Sequence, residues 1–284
     1  MKRYTYPENR PPTPRNSPLL ALVEENKRVL EVGCAMGYQS RALKEILRCR
    51  VTGIEIDALA AEHARPYCDD LIVGDIETLD LNEVFGGHRF DVITFADVLE
   101  HLRKPAAALS KVRPFIDQGG YVLASIPNVA HAAVVYEMAH GRFEYRALGL
   151  LDDTHLRFFT RRSVYDVFEQ AGYLIVGIIE KRLTPEDTEF EIQPETDEDR
   201  HFLEYIRQRN PDAETYQFII KAISAEDAQA RQSELITARQ QIEQLLNDLK
   251  QHKGKIRRLE SNLQWITERP LYRLFAKLRH AMRR

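Results

Sequence analysis

Long apolar runs are missing from this chain of 284 residues. None approaches the roughly 18–20 residues that span a bilayer, which excludes a helical channel or carrier. Cysteine is scarce: Cys34, Cys49 and Cys68 are odd in number, lack metal-type spacing and fall where strands and helices are expected. Neither a disulfide framework nor a zinc cluster is expected from them. With 13 Gly and 13 Pro the chain is not collagen-like or of low complexity. An excess of one charge is absent too, because 40 Lys and Arg face 43 Asp and Glu for a net charge of −3, and no nucleic-acid partner is expected. The opening MKRYTYPENRPPTPR lacks the apolar core of a secretory leader, so the expected compartment is the cytoplasm. What remains, 44% hydrophobic and 29% charged, is the balance of a soluble globular protein.

Residues 1–16 carry four prolines and no apolar period, and read as an arm. Ser17 followed by Pro18 is the start signal of a short helix ending near Asn26. From Arg28 to Gly177 short apolar runs alternate with stretches of helical period. The strands are expected at Val29–Val32, Val51–Ile56, Leu71–Val73, Phe90–Phe95, Tyr121–Ser125 and Leu174–Ile179. Helices are expected at Gln39–Leu47, Ala58–Tyr67, Pro105–Arg113 and Arg161–Ala171, with Gly172 as a stop. Runs apolar on both faces belong to parallel strands covered by helices. The expected fold is therefore α/β, a doubly wound Rossmann-like sheet of seven strands, whose last strand, Tyr216–Ala222, is an antiparallel edge. Between 184 and 214 an acidic stretch with a helix near Phe202–Arg207 reads as a surface insertion, and the domain closes at 223.

Residues 224–268 carry a seven-residue repeat. Leu235, Ile242, Leu249, Ile256 and Leu263 occupy one seam position, and Ala238, Leu245, His252, Leu259 and Ile266 the other. A parallel pairing sets Glu234 against Arg239, Asp248 against Lys253 and Lys255 against Glu260. A coiled-coil homodimer is expected. Residues 269–284 hold six cations and no acid, with Leu271, Leu274, Phe275, Leu278 and Met282 on one helical face. That pattern fits the inner face of an anionic membrane, an acidic partner or this protein's own surface.

The first strand runs into EVGCAMG, a turn with Gly33 and Gly37 at the place where open α/β sheets bind nucleotides. A dinucleotide fingerprint would need glycines where Ala35 and Tyr38 stand. Acids take the remaining positions: Glu31 in the first strand, Glu55 at the end of the second in GIEID, and Asp75 after the third in GDIE. A carboxylate after the second strand accepts from two ribose hydroxyls, and one after the third accepts from an adenine amino group. An acid near the first turn repels a pyrophosphate and attracts an ammonium or sulfonium ion. S-adenosylmethionine carries both cations and no phosphate.

In EVGCAMG, GIEID, GDIE and FDVITFADVLEHLRKP, taken in that order, the chain resembles the class I S-adenosylmethionine-dependent methyltransferases. The resemblance implies a cofactor site at Glu31, Gly33, Cys34, Ala35, Gly37, Glu55, Ile56, Asp75, Ile76 and Asp97, with S-adenosylhomocysteine as product. Ala35 departs from the middle glycine of many members. SIPNVAH at Ser125–His131 and GLLDDTHLRFFT at Gly149–Thr160 are similar to a methyltransferase group associated with glycosyltransferases and polysaccharide biosynthesis, as is QWITERPLYRL in the tail. This implies a sugar hydroxyl in a nucleotide-sugar, glycolipid or surface glycan as acceptor, and a glycosyltransferase as partner. The alternatives are a small aromatic or quinone hydroxyl, and a non-catalytic scaffold on the same fold.

A hydroxyl acceptor has a proton to lose, and His155, His101 and His131 stand in suitable loops for a base, the first two ahead of the third. Asp152, Asp153 and Arg157 are candidates to hold the acceptor, as are Tyr4 and Tyr6 as part of a lid. Metal-free transfer is expected, since no Cys/His cluster has zinc spacing and no carboxylate set demands magnesium.

Overall fold

The computed structural model describes residues 12–268. In chain order it contains β1 (Arg28–Val32), α1 (Tyr38–Glu45), β2 (Arg50–Glu55), α2 (Ala58–Ala64), β3 (Asp70–Val73), α3 (Leu81–Phe85), β4 (Phe90–Ala96) and α4 (Pro105–Val112). These are followed by β5 (Ile116–Pro127), α5 (Ala132–Ala139), α6 (Arg161–Gln170), β6 (Tyr173–Arg182), α7 (Asp197–Arg209), β7 (Thr215–Ser224) and α8 (Ala225–Glu268). Single 3₁₀ turns link several of them. One lies at Leu20–Leu22, where a short helix was expected, and another, Leu99–His101, follows β4. All seven strands join one sheet in the order β3-β2-β1-β4-β5-β7-β6.

β1 to β5 are parallel, with Val29 opposite both Val51 and Val92. Side chains alternate between the two faces, as a pleated strand requires. Leu30, Val32, Ile93 and Phe95 pack toward α4 and α6, while Val29, Val51 and Val92 pack toward α1. Burial on both faces is why these strands lack a polar alternation.

The last strand corrects an expectation. β7 is antiparallel, but it lies between β5 and β6, and the sheet edge is β6. The physical reason is visible in the side chains: Phe218, Ile219 and Ile220 are buried, whereas Leu174, Val176 and Ile179 on β6 are exposed. An interior strand needs two apolar faces; an edge does not.

The acidic segment 184–214 is more than a surface insertion. α7 starts at a reciprocal cap between Thr196 and Asp199, and its Leu203 and Ile206 pack with Ile192 against Ala132, Ala133 and Tyr136 of α5. Asn128, just past β5, donates through Nδ2 to the carbonyls of Asp212 (3.0 Å) and Thr215 (2.8 Å). Arg161 at the start of α6 donates to both Asp212 oxygens and forms an ion pair with Glu180. The insertion is thereby fixed beside the carboxyl end of β5.

The chain divides into a larger unit up to Ala228 and a second from Gln229. In the second, α8 is one continuous helix on which Ile242, Leu245, Leu249, Ile256, Leu259 and Leu263 are each more than half exposed. Among the described residues no helix is long and apolar enough to cross a membrane. Tyr4, Tyr6 and the basic segment 269–284 lie outside the described residues.

Candidate active site

The turn between β1 and α1 is shaped by close approach. Gly33 has φ +73°, and a Cβ there would sit 2.6 Å from Cγ2 of Val98. Gly37 has φ +81°, and its Cβ would meet the Cα of Ala64 at 2.7 Å. Both positions need glycine for conformation and for space. Ala35 also lies in the left-handed region, at φ +48°. A left-handed L-residue costs about 1–2 kcal/mol, which the turn's hydrogen bonds must offset.

Those bonds come from the acid after β2. Glu55 is buried; one oxygen accepts the Ala35 amide at 2.7 Å and the other the Asp57 amide at 2.9 Å. One carboxylate thus ties the turn after β1 to the turn after β2. Ile56, next in sequence, is two-thirds exposed, an apolar surface beside that acid. After β3, Asp75 accepts the Glu77 amide at 2.8 Å, while Ile76 turns into the core. Glu31, Cys34, Ala35, Glu55 and Asp75 therefore stand where the sequence places them, at the carboxyl ends of adjacent strands.

Glu31 is buried and accepts from the Ser40 hydroxyl at 2.5 Å, which braces the turn against α1; burial pushes its pKa up to about 8. Cys34 is buried beside Cys68, whose thiol, with burial, pushes the Cys34 thiol up, so Cys34 packs and does not attack.

At the end of β4, Asp97 adopts φ +54° and accepts from the Ser125 hydroxyl (3.0 Å) and the Gln217 amide. Left-handed non-glycine residues concentrate at functional sites. The 3₁₀ turn that follows carries Glu100 and His101. The Glu100 carbonyl accepts the amides of Leu156 (2.8 Å) and Arg157 (3.0 Å), which clamps the 150–158 segment over it. As a result the His101 and His155 rings meet edge to face with centroids 4.9 Å apart. His101 Nδ1 lies 3.2 Å from both the carbonyl and the hydroxyl of Thr154, and that hydroxyl donates to Asp152. Nδ1 of His155 is buried without a hydrogen-bond partner, as is Oε2 of Glu100. Burial, and the nearby His101, hold the His155 pKa below its usual value, so its ring is neutral at neutral pH. Burial, helped by the charge of Asp97, raises Glu100 well above the carboxylate range.

Two other expectations change. His131 is fully buried, accepts the Ala133 amide at Nδ1 (3.2 Å) as the cap of α5, and binds the Leu183 carbonyl through Nε2 (2.9 Å). With both nitrogens committed to the backbone, it holds the start of the insertion in place. Asp152 is buried and caps the turn to Thr154, while Arg157 donates to the Arg103 carbonyl at 2.7 Å; both shape the loop. Asp153 is exposed. The residue that the sequence reading missed is Glu100. Its signal was an acid directly before a histidine in the turn after an interior strand.

A methyltransferase-domain family matches residues 1–177. The chain belongs to that family. It is an S-adenosylmethionine-dependent methyltransferase. Among curated relatives, the ubiquinone biosynthesis O-methyltransferase of Coxiella burnetii (strain RSA 331 / Henzerling II) is 24% identical over 174 residues, covering 59% of this chain and 72% of that one. The protein of the same description from Aeromonas salmonicida (strain A449) is 24% identical over 185 residues, with 64% and 76% covered. Among solved structures, the CcbJ methyltransferase from Streptomyces caelestis superposes with a TM-score of 0.50 at 16% identity, over 73% of this chain and 92% of that one. The structural likeness is one of fold.

Proposed function

We propose that this methyltransferase transfers its methyl group to a ring hydroxyl of a small molecule. The cofactor lies across the turns after β1, β2 and β3, with Glu55 accepting from the ribose hydroxyls, Ile56 against the adenine and Asp75 at its amino group. The acceptor lies beside His101 and His155. The observation that carries this reading is the neutral His155 ring with an unpartnered nitrogen, set against a row of aromatic side chains. His155 contacts Phe158, Phe158 contacts Phe143, and Phe143 contacts Tyr145, at centroid distances of 6.1, 6.0 and 5.6 Å. Phe143, Tyr145, Leu148 and Leu156 are exposed, an apolar wall suited to a flat ring. The curated relatives, named for ubiquinone biosynthesis, support the same class of acceptor.

Bound S-adenosylmethionine would supply the methyl group, its C–S bond breaking as the acceptor oxygen's bond to that carbon forms, with S-adenosylhomocysteine as the leaving group and the hydroxyl proton released. Alignment of the two partners supplies much of the rate, and removal of the hydroxyl proton the rest. A sugar hydroxyl is the second reading. Its support lies in segments 125–131 and 149–160, whose His131, Asp152 and Arg157 already serve the fold.

The test is transfer of labelled methyl from S-adenosylmethionine to a panel of phenols, hydroquinones and nucleotide-sugars. His155→Ala should lower turnover about 10²–10⁴-fold with unchanged cofactor affinity, and Glu55→Ala should weaken cofactor binding about tenfold to a hundredfold by calorimetry. Methylation confined to sugars would replace the ring-hydroxyl reading. We also infer that α8 pairs with a second copy through its exposed Ile and Leu seam, because a solvated row of that length is covered in a coiled coil. Removal of residues 235–284 should then convert a dimer to a monomer by light scattering.

A further inference from the structure

Glu100, His101 and His155 bring three donor atoms within 4.8 Å of one another at the carboxyl end of β4. A cation held about 2.1 Å from each donor draws them to about 3–3.5 Å apart. Two independent features point to a ligand there. Glu100 is 1% exposed, yet its Oε2 has no hydrogen-bond partner; His155 Nδ1 is buried and unpartnered as well. Leaving such an atom unmatched costs about 1–3 kcal/mol, and here two occur in one cluster. The histidines are also oriented as ligands are. His101 donates Nδ1–H toward the Thr154 carbonyl, which leaves the Nε2 lone pair for a metal, and Thr154 is in turn held by Asp152. The hydrogen bonds from Leu156 and Arg157 to the Glu100 carbonyl fix the two contributing segments to each other.

We propose that Glu100, His101 and His155 form a binding site for a divalent first-row transition cation, with open coordination positions that take the acceptor hydroxyl. Two imidazole nitrogens and one carboxylate oxygen form a borderline donor set, suited to Mn²⁺, Fe²⁺, Co²⁺ or Zn²⁺ and poor in oxygen for Ca²⁺ or Mg²⁺. The cation's role in transfer rests on the methyltransferase reading; its binding does not. As a Lewis acid it lowers the pKa of the hydroxyl, whose proton passes to solvent water. The O–C bond then forms as the C–S bond breaks, and the positive charge lost by sulfur leaves as that proton. The histidines thus act on the acceptor through the cation. This departs from the metal-free transfer expected of the sequence, in which spacing along the chain hid a set that the fold assembles across 55 positions.

The experiment is titration of the chelator-treated full chain with Co²⁺, followed by its visible ligand-field absorption and by equilibrium dialysis, without substrate. One Co²⁺ per chain is expected. Glu100→Gln, which keeps the side-chain shape, and His155→Ala should each weaken binding about tenfold or more, whereas His63→Ala on the exposed face of α2 should not. Absence of stoichiometric binding, or binding unchanged in His155→Ala, would overturn the proposal. Calorimetry with S-adenosylmethionine on the same samples keeps the two readings apart: cofactor binding without Co²⁺ binding sinks the metal site alone.

Discussion

The ends of β1 and β2 and the end of β4 both hold buried acids, and they treat them in opposite ways. At the first, Glu31 is bonded to Ser40, and the two oxygens of Glu55 accept two backbone amides from neighbouring turns. At the second, a Glu100 oxygen and a His155 nitrogen have no protein partner. A carboxylate satisfied by backbone is a fastener: it fixes a loop and determines where a ligand meets it. A buried acid left unmatched raises the energy of the folded chain, and natural sequences tolerate that at sites where a ligand compensates it. The ends of β1 and β2 are therefore fastened from within the protein, and the end of β4 leaves buried polar atoms unmatched.

The contrast can be broken by mutation. Gly37→Ala places a methyl against the backbone of Ala64 in a left-handed turn, so strain and overpacking add. A loss of about 2–5 kcal/mol is expected in urea unfolding, and a loss under about 1 kcal/mol would mean that the turn after β1 is not tightly fastened. Gly141, just after α5, has φ +74° with nothing within 4 Å of a Cβ. Gly141→Ala should therefore cost only the conformational part, about 1–2 kcal/mol, and an equal loss at both glycines would erase the difference between the regions.

A pH titration sharpens it further. Glu31 holds its proton up to about pH 8 when folded, against an ordinary value of 4.5. Between those values the folded chain binds a proton that the unfolded chain has lost, so stability falls as pH rises across the window. The slope is at most about 1.4 kcal/mol per pH unit for one proton. Glu31→Gln should flatten it in urea midpoints measured across the window; an unchanged slope would assign the effect to another group.

Much of this was legible because parallel strands advertise themselves. Leu30, Ile54, Ile93 and Val122 sit in short runs apolar on both faces, and Gly33, Glu55 and Asp75 follow those runs at the cofactor edge. α6 was equally open to reading from its apolar period and Gly172. α5 was not: Ala132–Ala139 is apolar almost all round, so it has no period, and its cap is a histidine, an uncommon start signal. α3 is five residues long, although Asp80 caps it by the usual rule. The place of β7 was written in Phe218–Ile220, whose two apolar faces are those of an interior strand. Glu100 was hidden for a different reason, since what joins it to His155, which the sequence did offer, is the pairing of Leu156 and Arg157 with a distant carbonyl, a contact no local pattern encodes.

The position of β7 also bears on how the chain is made. Among the described residues β6 pairs only with β7, and β7 joins it to β5, so the last strand of the sheet to be synthesised is its keystone. While Asn128 to Glu214 emerge from the ribosome, β5 has one bare flank and β6 has no neighbour. Bare flanks invite pairing with other chains. A nascent chain released before β7 would carry a five-stranded sheet with one bare flank and a lone unpaired strand, and the helix that follows β7 begins where that hazard ends.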